Sequence, residues 1–329
     1  MKRPDIVFLD SHTLNPGDLS WEAFEALGTF REYARTAPGE VMERARGADI
    51  LIVNKTRLTA EHFRALPRLR LVCVAAAGYD VVDTEAARAC GVTVCNAAGY
   101  GNSAVAQMTL ALLLEVTNRV GAYAEADRQG FWSRSSDFCC WDEPLTELDG
   151  KRLAIVGFGG IGSTVARLAR AFGMRLAAVT SKSAEQLPPD VEKITLETAF
   201  AQCDIVSLHC PLTRENERFV SAGLLAAARP GLILVNTARG RLIDEEAVAA
   251  ALRSGHLGAY ACDVLAEEPP RANNPLLSAP RCYVTPHIAW ATVEARGRII
   301  RILRDNIAAF LAGRPCNVVN APVTPRPLS

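Results

Sequence analysis

The run "RLAIVGFGGIGSTVARLARAFG", residues 152–173, restricts the possible folds more than any other stretch of the chain. Gly157, Gly159 and Gly162 stand in G-x-G-x-x-G spacing between a short apolar run and an amphipathic one. A strand must turn sharply into a helix at that point. Glycine permits the turn, lets a ligand approach the backbone, and allows the helix to pack close to the strand. With Gly160 and Ile161, these residues open a helix whose N–H groups and positive dipole end suit phosphates. Another apolar run, "RLAAVT", follows at the distance of about 20 residues expected for the next strand of a dinucleotide-binding unit. The alternative is a glycine turn that binds nothing.

In an NAD site a carboxylate at the end of that next strand accepts hydrogen bonds from the ribose hydroxyls. Here the position is Thr180, followed by Ser181 and Lys182. A carboxylate would repel a 2′-phosphate, whereas these three can donate to one. The bland alternative is that Lys182 is solvated and neutral groups hold the ribose. NAD and NADP both stay open, because no arginine supplies a bidentate grip.

The length of 329 residues exceeds what one core usually organises, so two α/β domains are expected. The 36 basic and 36 acidic residues cancel, which argues against a nucleic-acid surface. Arg296, Arg298, Arg301 and Arg304 are expected to be solvated. The N-terminal apolar run, Ile6 to Leu9, is too short for a signal peptide, and no run approaches the roughly 18 residues of a membrane span. Ten cysteines form no CxxC pair and mostly sit in apolar runs, so they are read as reduced core thiols of a cytoplasmic protein, with no metal site. Cys139 and Cys140 are adjacent in a polar stretch, where a metal or redox role is the less favoured alternative.

Apolar runs at residues 5–10, 48–54, 69–77 and 92–98 alternate with helical stretches, as do later runs at 152–157, 175–180, 203–210, 231–238, 257–264 and 282–286. Continuous apolar strands separated by helices predict parallel sheets covered on both faces. A long helix begins near "NSAVAQ", with Asn102 or Ser103 as its cap, and a polar loop fills residues 128–150. Asp244 and Gly255 should start and stop another helix, and a last one runs from about Thr292 to Leu311.

Three later segments place polar residues just after strands: "VNTARGRLID" with Arg239, "DVLAEEPP" with Glu268, and "VTPHIAW" with His287. Open α/β sheets bind ligands at the strand carboxyl ends, so the three can converge. Hydride transfer to a 2-oxo acid needs a fixed cation for the carboxylate and carbonyl, and a proton donor for the developing alkoxide. Arg239 suits the first task and His287 the second, with Glu268 orienting the ring and favouring its charged form. Taken singly, each is as readily a surface arginine, a turn or a structural histidine.

"GFGGIG", "NTARG", "DVLAEEP" and "TPHIAW", with "VAAAGYDVVD" upstream, resemble the D-isomer-specific 2-hydroxyacid dehydrogenase family over nearly the entire chain. "VCNAAGYGNSAVAQ" and "FCCWDEPLTELDGK" are most similar to its glycerate dehydrogenases, also called hydroxypyruvate reductases. The resemblance implies a flavodoxin-like substrate domain, residues 1–99 with 288–329, and a Rossmann cofactor domain, residues 100–287, hinged over a cleft. It implies Arg239 as substrate clamp, Glu268 as histidine partner and His287 as general acid/base. It further implies that the N–H groups of Ala77 and Gly78 bind the substrate carboxylate and that Asn54 and Lys55 line the cleft. Cys210, Pro211, Thr237, Ala238 and Asp263 would contact the cofactor, with Asp263 at the nicotinamide carboxamide. Trp141 and Trp290 would shape the pocket. The partner is a small 2-oxo or 2-hydroxy acid, and the assembly is a homodimer with residues 121–149 near the interface. The departures are Thr180 in place of the usual acid and Cys262 in place of a larger aliphatic. The alternatives are a dinucleotide-sensing regulatory protein on the same scaffold and a related dehydrogenase with another substrate.

Overall fold

The computed structural model describes residues 3–321. They divide into two compact units: residues up to Tyr100 with those from Ala291 onward, and Gly101–Trp290. The second crossing follows Trp290 rather than His287, because residues 285–289 are tied to Asp263 of the second unit.

The first unit carries strands β1 (Asp5–Phe8), β2 (Thr29–Glu32), β3 (Ile50–Val53), β4 (Leu71–Val74) and β5 (Thr93–Cys95). They form one sheet in the order β2-β1-β3-β4-β5 with every pairing parallel. β3 and β4 are buried on both faces, which is why their sequences, "ILIV" and "LVCV", show no alternation. The helix Val293–Leu311, capped by Thr292, packs its buried stripe of Ile299, Leu303 and Ile307 in this unit.

The second unit carries β6 (Arg152–Val156), β7 (Arg175–Val179), β8 (Val191–Lys193), β9 (Ile205–Leu208), β10 (Leu232–Asn236), β11 (Leu257–Cys262) and β12 (Cys282–Val284). Their order is β12-β11-β10-β9-β6-β7-β8, again all parallel. The order reverses between β6 and β9, so a crevice opens at the carboxyl ends of those two strands. One face of the sheet is covered by the helices Asn102–Asn118 and Gly160–Ala171, which pack against each other. The other carries Phe200, Leu225, Val248 and Leu252. The α/β class with two parallel sheets, expected from the run of apolar strands, is what the chain adopts.

Three local expectations are corrected and one element is added. Gly101, not Asn102 or Ser103, caps the long helix; the Asn102 amide lies against Gly160 instead of bonding the helix end. Between the long helix and the polar loop of residues 128–150 stands a helix without a sign in the sequence, Val120–Arg128, which starts after Arg119 turns left-handed at φ 53°. Arg296 is buried rather than solvated, with both guanidinium ends on the Asp18 carboxylate at 2.7 and 2.6 Å. Arg298 is half-buried and donates to the Tyr100 carbonyl. Asp244 does cap its helix, and Gly255 follows it at φ 74°.

Candidate active site and cofactor cavity

The glycine loop shows why each glycine is needed. At φ 95°, Gly157 sits where a Cβ would come within 2.5 Å of the Cys210 nitrogen, so β6 and β9 can approach only without a side chain. A Cβ on Gly162 would lie 2.1 Å from the Gly157 carbonyl, and one on Gly160 2.5 Å from the Asn102 amide. Gly159 faces open space at the N-terminus of the Gly160–Ala171 helix. That opening, beside unpaired helix N–H groups, fits a pyrophosphate.

Next to it, at the β6/β9 switch, lies a cavity of about 600 Å³. The structure brings Gly157, Gly159, Thr180, Ser181, Lys182, Cys210 and Pro211 to its walls. The Lys182 ammonium lies 5.8 Å from the Phe158 ring centre, and Thr180 Oγ1 accepts from the Lys182 N–H at 3.2 Å. Two residues missed by sequence reasoning stand at or beside this cavity. Lys193, at the end of β8, sends its ammonium to the Lys182 carbonyl at 2.6 Å and adds a second cation at this end of the sheet. His209 lines the cavity with Nε2 2.8 Å from Ser207 Oγ, while its buried Nδ1 has no partner among the described residues. Burial drives the His209 pKa from 6.5 down to about 3, so its ring is neutral. The "SLHC" run could have flagged it, since a histidine there interrupts a buried strand.

The turn after β10 is organised by Asn236, another residue the sequence did not single out. Wholly buried, it accepts from the Ala238 N–H at 3.0 Å and donates to the Arg239 carbonyl at 2.9 Å. Thr237 Oγ1 is 3.0 Å from Thr109 Oγ1 of the long helix. This anchoring leaves the Arg239 guanidinium exposed, held among the described residues through one bond to the Ala238 carbonyl at 2.7 Å. Gly240 then packs so tightly that a Cβ would meet the Leu265 carbonyl carbon at 2.0 Å, which sets the Arg239 turn against the Glu268 turn.

Glu268 spans that turn and the next. Its Oε1 accepts from the Leu265 N–H at 2.9 Å and its Oε2 meets His287 Nδ1 at 2.6 Å. His287 sits at φ 55°, a left-handed conformation that a bulky residue adopts only when its surroundings impose it. Asp263 imposes it. Almost completely buried, it accepts from Thr285 Oγ1 at 2.5 Å and from the Ile288 and Ala289 N–H groups at 2.9 and 2.7 Å. Trp290 Nε1 adds a bond to the His287 carbonyl at 3.0 Å. The histidine is therefore fixed at both backbone and ring, with Nε2 left for a substrate.

In the first unit, Asp10 gathers the N–H groups of Asn54, Lys55 and Thr56. Asn54 is buried with its amide on Thr13 Oγ1, while Lys55 is exposed. Past β4, the N–H groups of Ala77 and Gly78 have no acceptor among the described residues. Trp141 is 64% exposed. Among the described residues, Cys139 and Cys140 are free thiols and no cluster suits a metal ion.

A glycine-loop parallel sheet with a carboxylate-held histidine past its last strand defines a class, the dinucleotide-dependent oxidoreductases of small acids. Residues 110–289 match the model for the D-isomer specific 2-hydroxyacid dehydrogenase NAD binding domain. The chain is 41% identical over 319 residues to a hydroxypyruvate reductase of Blautia hydrogenotrophica, covering 96% of this chain and 99% of that one. It is 39% identical over 319 residues to a glycerate dehydrogenase of Methylorubrum extorquens, with the same coverage. A solved NADPH-dependent glyoxylate/hydroxypyruvate reductase from Sinorhizobium meliloti, in complex with NADP and malonate, superposes with a TM-score of 0.85 at 27% identity, covering 99% of this chain and 100% of that one. The chain belongs to the D-isomer specific 2-hydroxyacid dehydrogenase family.

Proposed function

We propose that this family member is a reductase of hydroxypyruvate- and glyoxylate-class 2-oxo acids, forming the D-2-hydroxy acid with NADPH or NADH as donor. The observation that carries the reading is the 2.6 Å contact between His287 Nδ1 and Glu268 Oε2, on a turn pinned by Asp263. The nicotinamide cofactor supplies the hydride when bound. Arg239, exposed beside the Glu268 turn, grips the substrate carboxylate and polarises its carbonyl. His287, its Nδ1 committed to Glu268, gives the Nε2 proton to the carbonyl oxygen as charge develops there. The free N–H groups of Ala77 and Gly78 hold the carboxylate, with Asn54 and Lys55 on the neighbouring loop. Asp263 holds the His287 turn through three accepted bonds and keeps acceptor capacity for the nicotinamide carboxamide.

For the cofactor, Gly157, Gly159, Gly160, Ile161 and Gly162 serve the pyrophosphate, and Cys210 and Pro211 border the adenosine. Thr237 and Ala238 stand where the strand end would meet the nicotinamide half. Thr180, Ser181 and Lys182 line the cavity with hydroxyls, an ammonium and no carboxylate at the Thr180 position, which supports a 2′-phosphate, and Lys193, whose ammonium bonds the Lys182 carbonyl, adds a second cation beside that loop. The assembly is a homodimer, supported by an exposed apolar segment containing Trp132, Trp141 and the 90% exposed Phe138. No helix among the described residues is long and apolar enough to cross a membrane. Ten free thiols accord with a cytoplasmic setting.

His287→Gln should lower turnover of hydroxypyruvate by about 10²-fold or more, the usual contribution of a positioned general acid, while NADPH binding by fluorescence titration stays near wild type. Full activity in that variant would remove His287 from the reaction.

A further inference from the structure

Beneath the Arg239 turn lies a buried polar pair that takes no direct part in the proposed reaction. Tyr260 is wholly buried on β11, opposite Leu234 of β10, in an aliphatic cluster with Phe200, Leu242 and Leu276. A phenol is costlier to bury than a phenylalanine ring, because its hydroxyl must find partners away from water. Here it finds two. It accepts from Asn236 Nδ2 at 3.4 Å and gives its own proton to the thiol of Cys262, two residues on along the same face of β11. Cys262 stands where a larger aliphatic could not take that proton. Burial holds the Tyr260 pKa well above the ordinary phenol value, so the hydroxyl stays neutral, donor and acceptor at once.

That hydroxyl completes the bonding of Asn236. A side-chain amide has two N–H donors and one carbonyl acceptor. One donor goes to the Arg239 carbonyl at 2.9 Å, the other to Tyr260, and the oxygen takes the Ala238 N–H at 3.0 Å. Turned over, the amide would set its oxygen against the Arg239 carbonyl and its N–H groups against the Ala238 N–H. Only one orientation serves. The main-chain carbonyl of Asn236 also accepts from the Asp263 N–H at 3.0 Å, and the Asp263 carboxylate pins the turn that carries His287. One residue therefore bonds both the turn that presents Arg239 and the residue that holds His287.

We propose that Tyr260 and Asn236 are positioning residues for the substrate clamp: the hydroxyl fixes the amide, the amide fixes the Arg239 carbonyl, and the exposed guanidinium is thereby set in place. This rests on the reading of Arg239 as the group that grips a 2-oxo acid. A long side chain whose guanidinium bonds only its neighbouring carbonyl among the described residues has its reach decided by the turn beneath it.

Two variants of the full chain test the proposal. Tyr260→Phe removes one oxygen and keeps the ring, so the core stays filled, while Asn236→Ala removes the amide. Hydrogen exchange read by mass spectrometry reports on the turn without any reaction. Residues 237–242 should exchange about tenfold faster in Tyr260→Phe, the scale of one buried group left unpaired, and faster still in Asn236→Ala, with β6 and β7 unchanged. In kinetics, Tyr260→Phe should lower kcat/KM for hydroxypyruvate by about tenfold, mostly through KM, with NADPH binding as in wild type. The same substitution made in Arg239→Lys should cost less than about twofold, because the group it positions has gone. Unchanged exchange at 237–242, an unchanged kcat/KM in Tyr260→Phe, or an equal fall with and without Arg239 would each overturn the proposal. A wild type that reduced no 2-oxo acid would remove the reading of Arg239 alone, and the exchange rates would still decide whether the pair holds the turn.

Discussion

Two histidines decide different properties of this chain. His209 is held neutral by burial, with a pKa near 3 against 6.5 when unfolded. A group whose folded pKa is depressed adds stability that is complete above the unfolded value and is lost as pH falls towards the folded one. Between about pH 7 and about pH 5 the wild-type protein should therefore lose about 2 kcal/mol through this residue. Urea unfolding at both pH values checks it: His209→Asn should lose less stability across the interval than wild type, and equal losses would show that the ring titrates normally. His287 works through a partner instead. Glu268→Gln removes the carboxylate charge that holds Nδ1, so kcat for 2-oxo acid reduction should fall by about tenfold or more while the substrate spectrum stays the same. An unchanged kcat would separate the two residues functionally. His287 was legible as a polar residue just after a strand, whereas His209, inside the "SLHC" run, was not singled out.

At the scale of elements, the site is made by strand ends, and the strands most legible in the sequence are the buried ones. β3, β4, β6 and β9 announce themselves as unbroken aliphatic runs because both their faces are covered. The edge strands β2 and β8, "TFRE" and "VEK", are short and largely exposed, so they present no apolar run to find. The helix Val120–Arg128 buries no residue and therefore lacks an apolar stripe. Missing β8 had a functional cost, since Lys193 at its end reaches the Lys182 carbonyl. Lys193→Glu should lower kcat/KM for NADPH relative to NADH by roughly 10- to 100-fold, as expected for replacing a phosphate donor by a like charge. Thr180→Asp should act in the same direction. A ratio unchanged in both variants would take the 2′-phosphate away from this end of the sheet. Asn236 was hidden for another reason: its work is done through backbone groups, which sequence periodicity does not report.

For the molecule as a whole, the balance of 36 basic and 36 acidic residues leaves association to apolar surface rather than to net charge. Phe138, Trp141, Trp132 and Leu145 are exposed together on a segment fastened to its own unit by Arg119 on Asp142 and Arg281 on Glu143. A fixed apolar segment of this kind is expected to be covered by another copy. Sedimentation velocity should find a dimer, and Phe138→Asp should shift it towards monomer; a wild-type monomer at micromolar concentration would contradict the assignment. The same segment is absent from the chemistry of the turns, so the monomeric variant should keep Glu268 and His287 in place.

The central claim is that these turns, on this glycine-loop sheet, reduce small 2-oxo acids. It is tested most directly by steady-state kcat/KM for hydroxypyruvate, glyoxylate, pyruvate and phenylpyruvate, each with NADPH and with NADH. Highest values for hydroxypyruvate and glyoxylate, with NADPH at least as effective as NADH, are the predicted result. Preference for phenylpyruvate, or tight dinucleotide binding with no reduction of any of the four, would contradict it.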